Sequence, residues 1–178
     1  MQNVATAAAL YAAVVKGEPV TGRITTVAGG ALGDGYNLYI PLGTRIIDVL
    51  NYLNIDEYKV AKVISGGPMM GTSAADLYAP VVKGTSGLLL LDEKEAVLPE
   101  ESPCIRCGRC AQVCPIGLVP SVLDAFSRSD KLDECEKWHI KDCIECGSCT
   151  FICPAKRYLM QSLRLAKAAV IKRGRAAK

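Results

Sequence analysis

Eight of the nine cysteines in this 178-residue chain fall into two runs. Cys104, Cys107, Cys110 and Cys114 precede Pro115, and Cys143, Cys146, Cys149 and Cys153 precede Pro154, both runs spelling C-x2-C-x2-C-x3-C-P. Three thiolates at this spacing wrap one loop around a 4Fe-4S cubane, with the intervening amides facing the sulfides. The fourth points away and ligates a neighbouring cluster. That exchange assigns Cys104, Cys107, Cys110 and Cys153 to one centre and Cys143, Cys146, Cys149 and Cys114 to the other. Every position of both motifs is filled, which favours 4Fe-4S over 3Fe-4S at both.

Gly108 and Gly147 follow the second cysteine of each run, where a missing Cβ permits positive φ or a close approach to sulfide. Pro115 and Pro154 fix φ and suit the first turn of a helix leading away. Two plainer readings fit less well. An odd cysteine count argues against a disulfide framework. Zinc would use two C-x2-C pairs, leaving the third cysteine and the C-P ending surplus.

The remaining chemistry-bearing residues assemble no acid–base pair and no activated nucleophile, so no catalytic residue is assigned. Gly29, Gly30, Gly33 and Gly35 match neither a dinucleotide fingerprint nor a Walker loop; lying between two strand patterns, they read as a hairpin loop. Met69 and Met70 read as gap-filling core. Cys135 fits neither run and reads as a buried or idle thiol; His139, the only histidine, reads as a packing or surface residue, and Trp138 as a cover over a helical core.

The elements that must carry these loops follow from periodicity. Residues 1–18, rich in alanine, predict a helix that Thr6 caps and Gly17 stops. Val20–Ala28, Tyr36–Ile40, Val60–Ile64, Val81–Val82 and Leu88–Leu91 predict strands. Between them a helix capped by Thr44 buries Ile46, Ile47, Val49, Leu50 and Leu53. This makes a small α+β domain over residues 19–92, and the acidic stretch 93–102, with Pro99 and little apolar pattern, is the expected linker. From 103 to 178 the chain repeats with a period of 39 residues, its twelve-residue cores agreeing at seven positions. Helical pattern follows each core, over Val119–Ser127 and Tyr158–Lys172, the latter carrying Leu159, Leu163, Ala166 and Val170 on one face. An all-helical two-cluster domain is expected.

Composition suits a cytoplasmic protein with reduced cysteines: half the residues are apolar, no apolar run approaches a membrane span, and the start lacks the charged region of a signal peptide. The net charge of +3 is uneven, because Lys156, Arg157, Arg164, Lys167, Lys172, Arg173, Arg175 and Lys178 supply eight positive charges with no acid after Glu145, leaving −5 on the remainder. Anionic lipid, an acidic partner or water would suit such a tail, whereas no nucleic-acid-binding motif accompanies it.

Four segments, Gly66-Gly-Pro-Met-Met-Gly71, Lys83-Gly-Thr-Ser-Gly87, Pro103-Cys-Ile-Arg-Cys-Gly-Arg-Cys110 and Asp142-Cys-Ile-Glu-Cys-Gly-Ser-Cys149, resemble in this order the C subunit of the Rnf electron-transport complexes. Val20–Asn54 is similar to the soluble-ligand-binding β-grasp domain of that family. The resemblance implies an α+β architecture, a β-grasp-like domain at 19–92 followed by an α-helical ferredoxin-like domain at 103–178 with two 4Fe-4S clusters. It makes residues 1–18, with Asn3 and Thr6, the helical remnant of a flavin-binding domain, so that FMN and NAD(H) are expected only in that missing N-terminal domain. It implies electron transfer as a peripheral subunit on the cytoplasmic face of the membrane, within a complex coupling ferredoxin and NAD to ion translocation. Partners are then the other Rnf subunits and ferredoxin or another redox carrier, with no nucleic acid and no transmembrane segment. Arg106, Arg109, Lys156 and Arg157, close to the ligands, would raise cluster potential or dock an acidic carrier, or simply be solvated. Two alternatives share the layout: a cobalamin-reductase-like iron–sulfur subunit, and a β-grasp docking module with structural clusters.

Overall fold

The computed structural model describes residues 2–176, so Lys178 of the basic tail lies outside the described residues. The chain divides into two compact units, Met1–Val97 and Leu98–Lys178, each with its own core.

The first unit opens with α1 (Val4–Tyr11), which continues as a π-helical stretch Ala12–Lys16 and stops at Gly17, φ 69°. Asn3 rather than Thr6 caps it, its side chain accepting the Ala5 N–H at 2.9 Å. Thr6 sits inside the helix, where its hydroxyl has no terminal N–H to serve. Strands β1 (Gly22–Ala28) and β2 (Tyr36–Pro41) form an antiparallel hairpin through the glycine loop. Helix α2 (Ile46–Tyr52) follows, with Arg45 at its N-cap instead of Thr44. Asp48 reaches back to the Arg45 N–H at 3.3 Å and to its guanidinium at 2.7 and 2.9 Å, so the acid in the first turn does the capping.

Strands β3 (Lys62–Ser65), β4 (Thr72–Ser73) and β5 (Gly87–Leu91) complete a five-stranded sheet in the order β2-β1-β5-β3-β4. Only β1 and β5 run parallel. Alternation along the strands sends Val27, Ile40, Val63, Leu88 and Leu90 to the face where α2 packs Ile46, Val49 and Leu50. The expected strand at Val81–Val82 is absent. Pro80 makes one bridge to Arg45, and Val81 is fully packed while Val82 faces solvent, so burial without a neighbouring ladder made the pair look strand-like. Met69 and Met70 do not fill a core gap: both are exposed on the turn between β3 and β4. The stretch 93–102 begins with one turn of helix, α3 (Glu93–Ala96), capped by Asp92.

The second unit contains no strand among its described residues. Its elements are α4 (Arg109–Gln112), α5 (Pro120–Arg128), α6 (Leu132–Lys137), α7 (Ser148–Phe151) and α8 (Leu159–Ala176). Leu159, Leu163, Ala166 and Val170 are buried along α8, which packs on α5 and α6 around Leu123, Cys135 and Ile140. Pro115 and Pro154 do not open helices. Each lies in a turn, and the helices begin five residues later, at Pro120 and Leu159.

Candidate iron–sulfur centres

Each cysteine run folds as the same loop. The residue before the second cysteine, Arg106 or Glu145, has φ 54° or 56°, and the glycine after it, Gly108 or Gly147, has φ 76° or 79°. Left-handed residues flanking a cysteine turn successive backbone N–H groups to one side, making a concavity that suits an anion. Among the described backbone hydrogen bonds, none uses the N–H of residues 105–108 or 144–147. At Gly108 a Cβ would meet nothing within 4 Å, so the need for glycine is its φ and not a close approach.

The loops run into the short helices α4 and α7, which carry Cys110 and Cys149 and end just before Cys114 and Cys153. Those helices pack on each other, and the fourth cysteine of each run is thereby carried across to its neighbour. Cys104, Cys107, Cys110 and Cys153 line one cavity of about 520 Å³, together with Arg106 and Arg157. Cys114, Cys143, Cys146 and Cys149 line a second, much tighter one of about 20 Å³, walled by Ile116, Leu118 and Glu145. All nine cysteines are free thiols. Among the described residues no three His, Cys, Asp or Glu side chains converge as one metal ion would need. The donor chemistry fits a cluster, whose irons spread the four thiolates around a volume.

The environment of the second set is apolar and directional. Burial pushes the Cys149 thiol up to about 11 and raises Cys143, while the Ser148 hydroxyl and N–H draw Cys146 down. N–H groups of Glu145, Ser148 and Thr150 address the sulfurs of Cys143, Cys146 and Cys149, the type of bond that stabilises thiolate and cluster alike. Uptake of iron must therefore drive protons off buried thiols.

A buried ion network, which the spacing of the sequence does not mark, underlies the first cavity. Asp124 on α5 is 2% exposed. Its Oδ2 accepts from Arg157 Nε at 3.0 Å and Nη2 at 2.6 Å, and its Oδ1 from Arg128 Nε at 2.8 Å. Arg128 also forks onto Glu101 at 2.7 and 2.9 Å, and Glu101 takes the Tyr158 N–H at 2.6 Å. The guanidinium of Arg128, and then the Tyr158 N–H, hold the Glu101 carboxyl below the usual range. The i, i+4 spacing of Asp124 and Arg128 on α5 was the available signal. Glu145 in turn is paired with Arg164 at 2.8 Å and Lys167 at 3.5 Å.

The other singled-out residues lie away from both cavities. Cys135 is fully buried, its thiol 4.0 Å from the Leu123 carbonyl. The His139 side chain is 76% exposed, 3.9 Å from Asp142. Trp138 is half-exposed and packs on Phe126 with ring centroids 6.1 Å apart. In the basic tail Arg173 is paired with Asp133 at 2.7 Å.

Two four-cysteine pockets on a repeated helical loop define a two-cluster iron–sulfur domain, and residues 103–158 match the 4Fe-4S dicluster domain family. A domain of that class carries two 4Fe-4S clusters. Over 94–97% of its length the chain is similar to part of the C subunits of ion-translocating oxidoreductase complexes. It is 43% identical, over 94% of its length and 37% of the relative's, to the C subunit of the proton-translocating ferredoxin:NAD(+) oxidoreductase complex of Clostridium ljungdahlii. It is 42% identical over 96% of its length to the C subunit of the Na(+)-translocating ferredoxin:NAD(+) oxidoreductase complex of Acetobacterium woodii, and covers 39% of that protein. A third relative, the C subunit of the ion-translocating oxidoreductase complex of Rhodobacter capsulatus, is 41% identical over 97% of the chain and 33% of its own length. The chain thus spans less than two-fifths of these relatives.

Proposed function

We propose that this chain is an electron-transfer segment of a peripheral subunit in an ion-translocating ferredoxin:NAD oxidoreductase complex, working at the cytoplasmic face of the membrane. Cys104, Cys107, Cys110 and Cys153 hold one cluster, and Cys143, Cys146, Cys149 and Cys114 the other. The observation that carries this reading is the exchange of Cys114 and Cys153 between the two cavity walls, which makes the two centres neighbours. When bound, the clusters would supply two one-electron carriers. The chain's own residues bind through eight thiolates, orient the loops through the left-handed residues, and keep water from the second site with Ile116, Leu118, Met160 and Leu163.

The relatives' names support the complex, and the described residues include no helix long and apolar enough to cross a membrane. Other subunits of such a complex, and ferredoxin or another carrier, are the partners this reading requires. On this reading flavin and nicotinamide are bound outside the stretch of the subunit that this chain represents. For the first unit the reading is β-grasp. A hairpin, a single helix across one face and a central parallel β1·β5 pair in the order β2-β1-β5-β3-β4 support it. In domain terms, 1–18 is a helical lead, 19–92 the β-grasp unit, 93–102 the linker and 103–178 the cluster domain.

Anaerobic purification with iron and sulfide analysis, followed by EPR of the reduced chain, tests the proposal. About eight irons and eight sulfides with a spin-coupled signal are expected. Zinc, or oxidised thiols without metal, would overturn it.

A further inference from the structure

The 39-residue repeat allows the two cavity walls to be compared position by position. Arg106, on the first wall, corresponds to Glu145 on the second, with the same left-handed backbone and the opposite charge. Arg157, on the first wall, corresponds to Leu118 on the second. Both departures from the repeat make the first cavity the more cationic.

Arg157 is not a loose surface cation. Its side chain is 17% exposed and bonds Asp124 twice, and Asp124 is almost fully buried with its other oxygen on Arg128. Moving the guanidinium away would leave a buried carboxylate with half its partners, so Asp124 fixes Arg157 in the wall. Exposure acts in the same direction at two ligands: Cys104 and Cys107 are exposed, with Cys110 buried and Cys153 half-buried, whereas Cys114, Cys143, Cys146 and Cys149 are all half-buried around the tighter cavity. Two features of the second site oppose the trend. Arg164 and Lys167 partly neutralise Glu145 without lining the cavity, and the Ser148 hydroxyl lies 3.5 Å from the Cys146 sulfur. Both wall charges are paired, so position decides: Arg157 lines the first cavity while its partner Asp124 does not, and Glu145 lines the second while Arg164 and Lys167 do not, so the nearer charge is positive at the first site and negative at the second.

We propose that Arg157, positioned by Asp124, makes the centre at Cys104, Cys107, Cys110 and Cys153 the higher-potential one of the two, so that an electron entering the domain comes to rest there. This deepens the two-cluster reading above and rests on it. A low-potential one-electron carrier is oxidised by one electron and the centre beside Arg157 is reduced by one; no bond is made or broken and no proton moves. A positive wall and access to solvent favour the more anionic reduced state.

The test is an EPR-monitored redox titration of the anaerobically purified full chain, with iron and sulfide measured on every sample. The native chain is expected to show two one-electron waves. Arg157→Leu, which copies the Leu118 wall, lowers the upper wave by about tenfold in its reduction equilibrium, or 59 mV for one electron, and leaves the lower wave in place. Arg157→Lys, which keeps the charge, keeps most of the native position. Leu118→Lys, which leaves the Asp124 network untouched, raises the lower wave and brings the two together. Coincident waves in the native chain overturn the proposal without any variant. So does an Arg157→Leu chain with full iron whose upper wave is unmoved, or whose lower wave moves instead. A native chain lacking about eight irons refutes the two-cluster reading itself, a result the metal analysis separates from the others.

Discussion

Cys114 and Cys153 occupy equivalent places in the repeat, and each lines the cavity of the other's run. Cys153→Ser is therefore expected to remove the centre beside Cys104 and to spare the one beside Cys143. Iron analysis would fall to about half, and the surviving EPR signal would lose its spin coupling. Asp124 carries a different kind of weight, since Asp124→Ala leaves Arg157 and half of Arg128 facing a hole. A loss of about 3–5 kcal/mol is expected, read by urea unfolding of the cluster-loaded chain. Glu101 supplies the acid side of the same network. Its folded pKa is lowered by Arg128, so its contribution is fully present above the ordinary carboxylate pKa and is lost as pH falls through the lowered folded value. Glu101→Gln should lower stability near neutrality, where the native contribution is fully present, and change little in acid, so that the acid limb of a stability–pH curve flattens.

The elements that position these residues depend on a few buried contacts. Leu159, Leu163, Ala166 and Val170 make the inner face of α8, visible in the sequence because the residues recur at helical spacing. Leu163→Ala is expected to cost about 2–5 kcal/mol in the same unfolding assay, by loss of transfer energy and a cavity against Leu123 and Cys135. In the sheet, Gly29 has φ 128° and a Cβ there would come within 2.2 Å of the Leu90 carbonyl oxygen. Gly29→Ala should therefore lower the melting temperature of the first unit, whereas Gly84, open on all sides, should tolerate alanine. Helix caps were less legible. Asn3 and Arg45 took the places that Thr6 and Thr44 suggested, because a cap is decided by where the chain first leaves helical φ/ψ and several polar residues compete for it.

At the scale of the molecule, two separate cores mean that the two units need not fail together. The Leu98–Lys178 unit has short helices, α4 and α7 of four residues each, whose loops are closed by thiolates on a cluster. Removing iron with a chelator under oxidising conditions should strip amide protection around 103–158 while β1, β3 and β5 keep theirs. Hydrogen exchange followed by mass spectrometry would show this, and simultaneous loss from the sheet would argue against independent units. The first unit depends instead on Val27, Leu88, Leu90 and the α2 face.

The cysteine spacing, the 39-residue repeat, the hairpin at Gly29–Gly35 and the face of α8 were legible in the sequence because each is a local pattern, set by bond geometry and by the 2.0 and 3.6 periods of the backbone. The pairing of β1 with β5, the missing strand at Val81–Val82 and the exposure of Met69 and Met70 were decided only when distant segments met. So was the network of Glu101, Arg128, Asp124 and Arg157, which spans 56 residues of sequence and lies against one cavity wall. Long-range packing chooses which charges are buried together, and no local spacing rule encodes that choice.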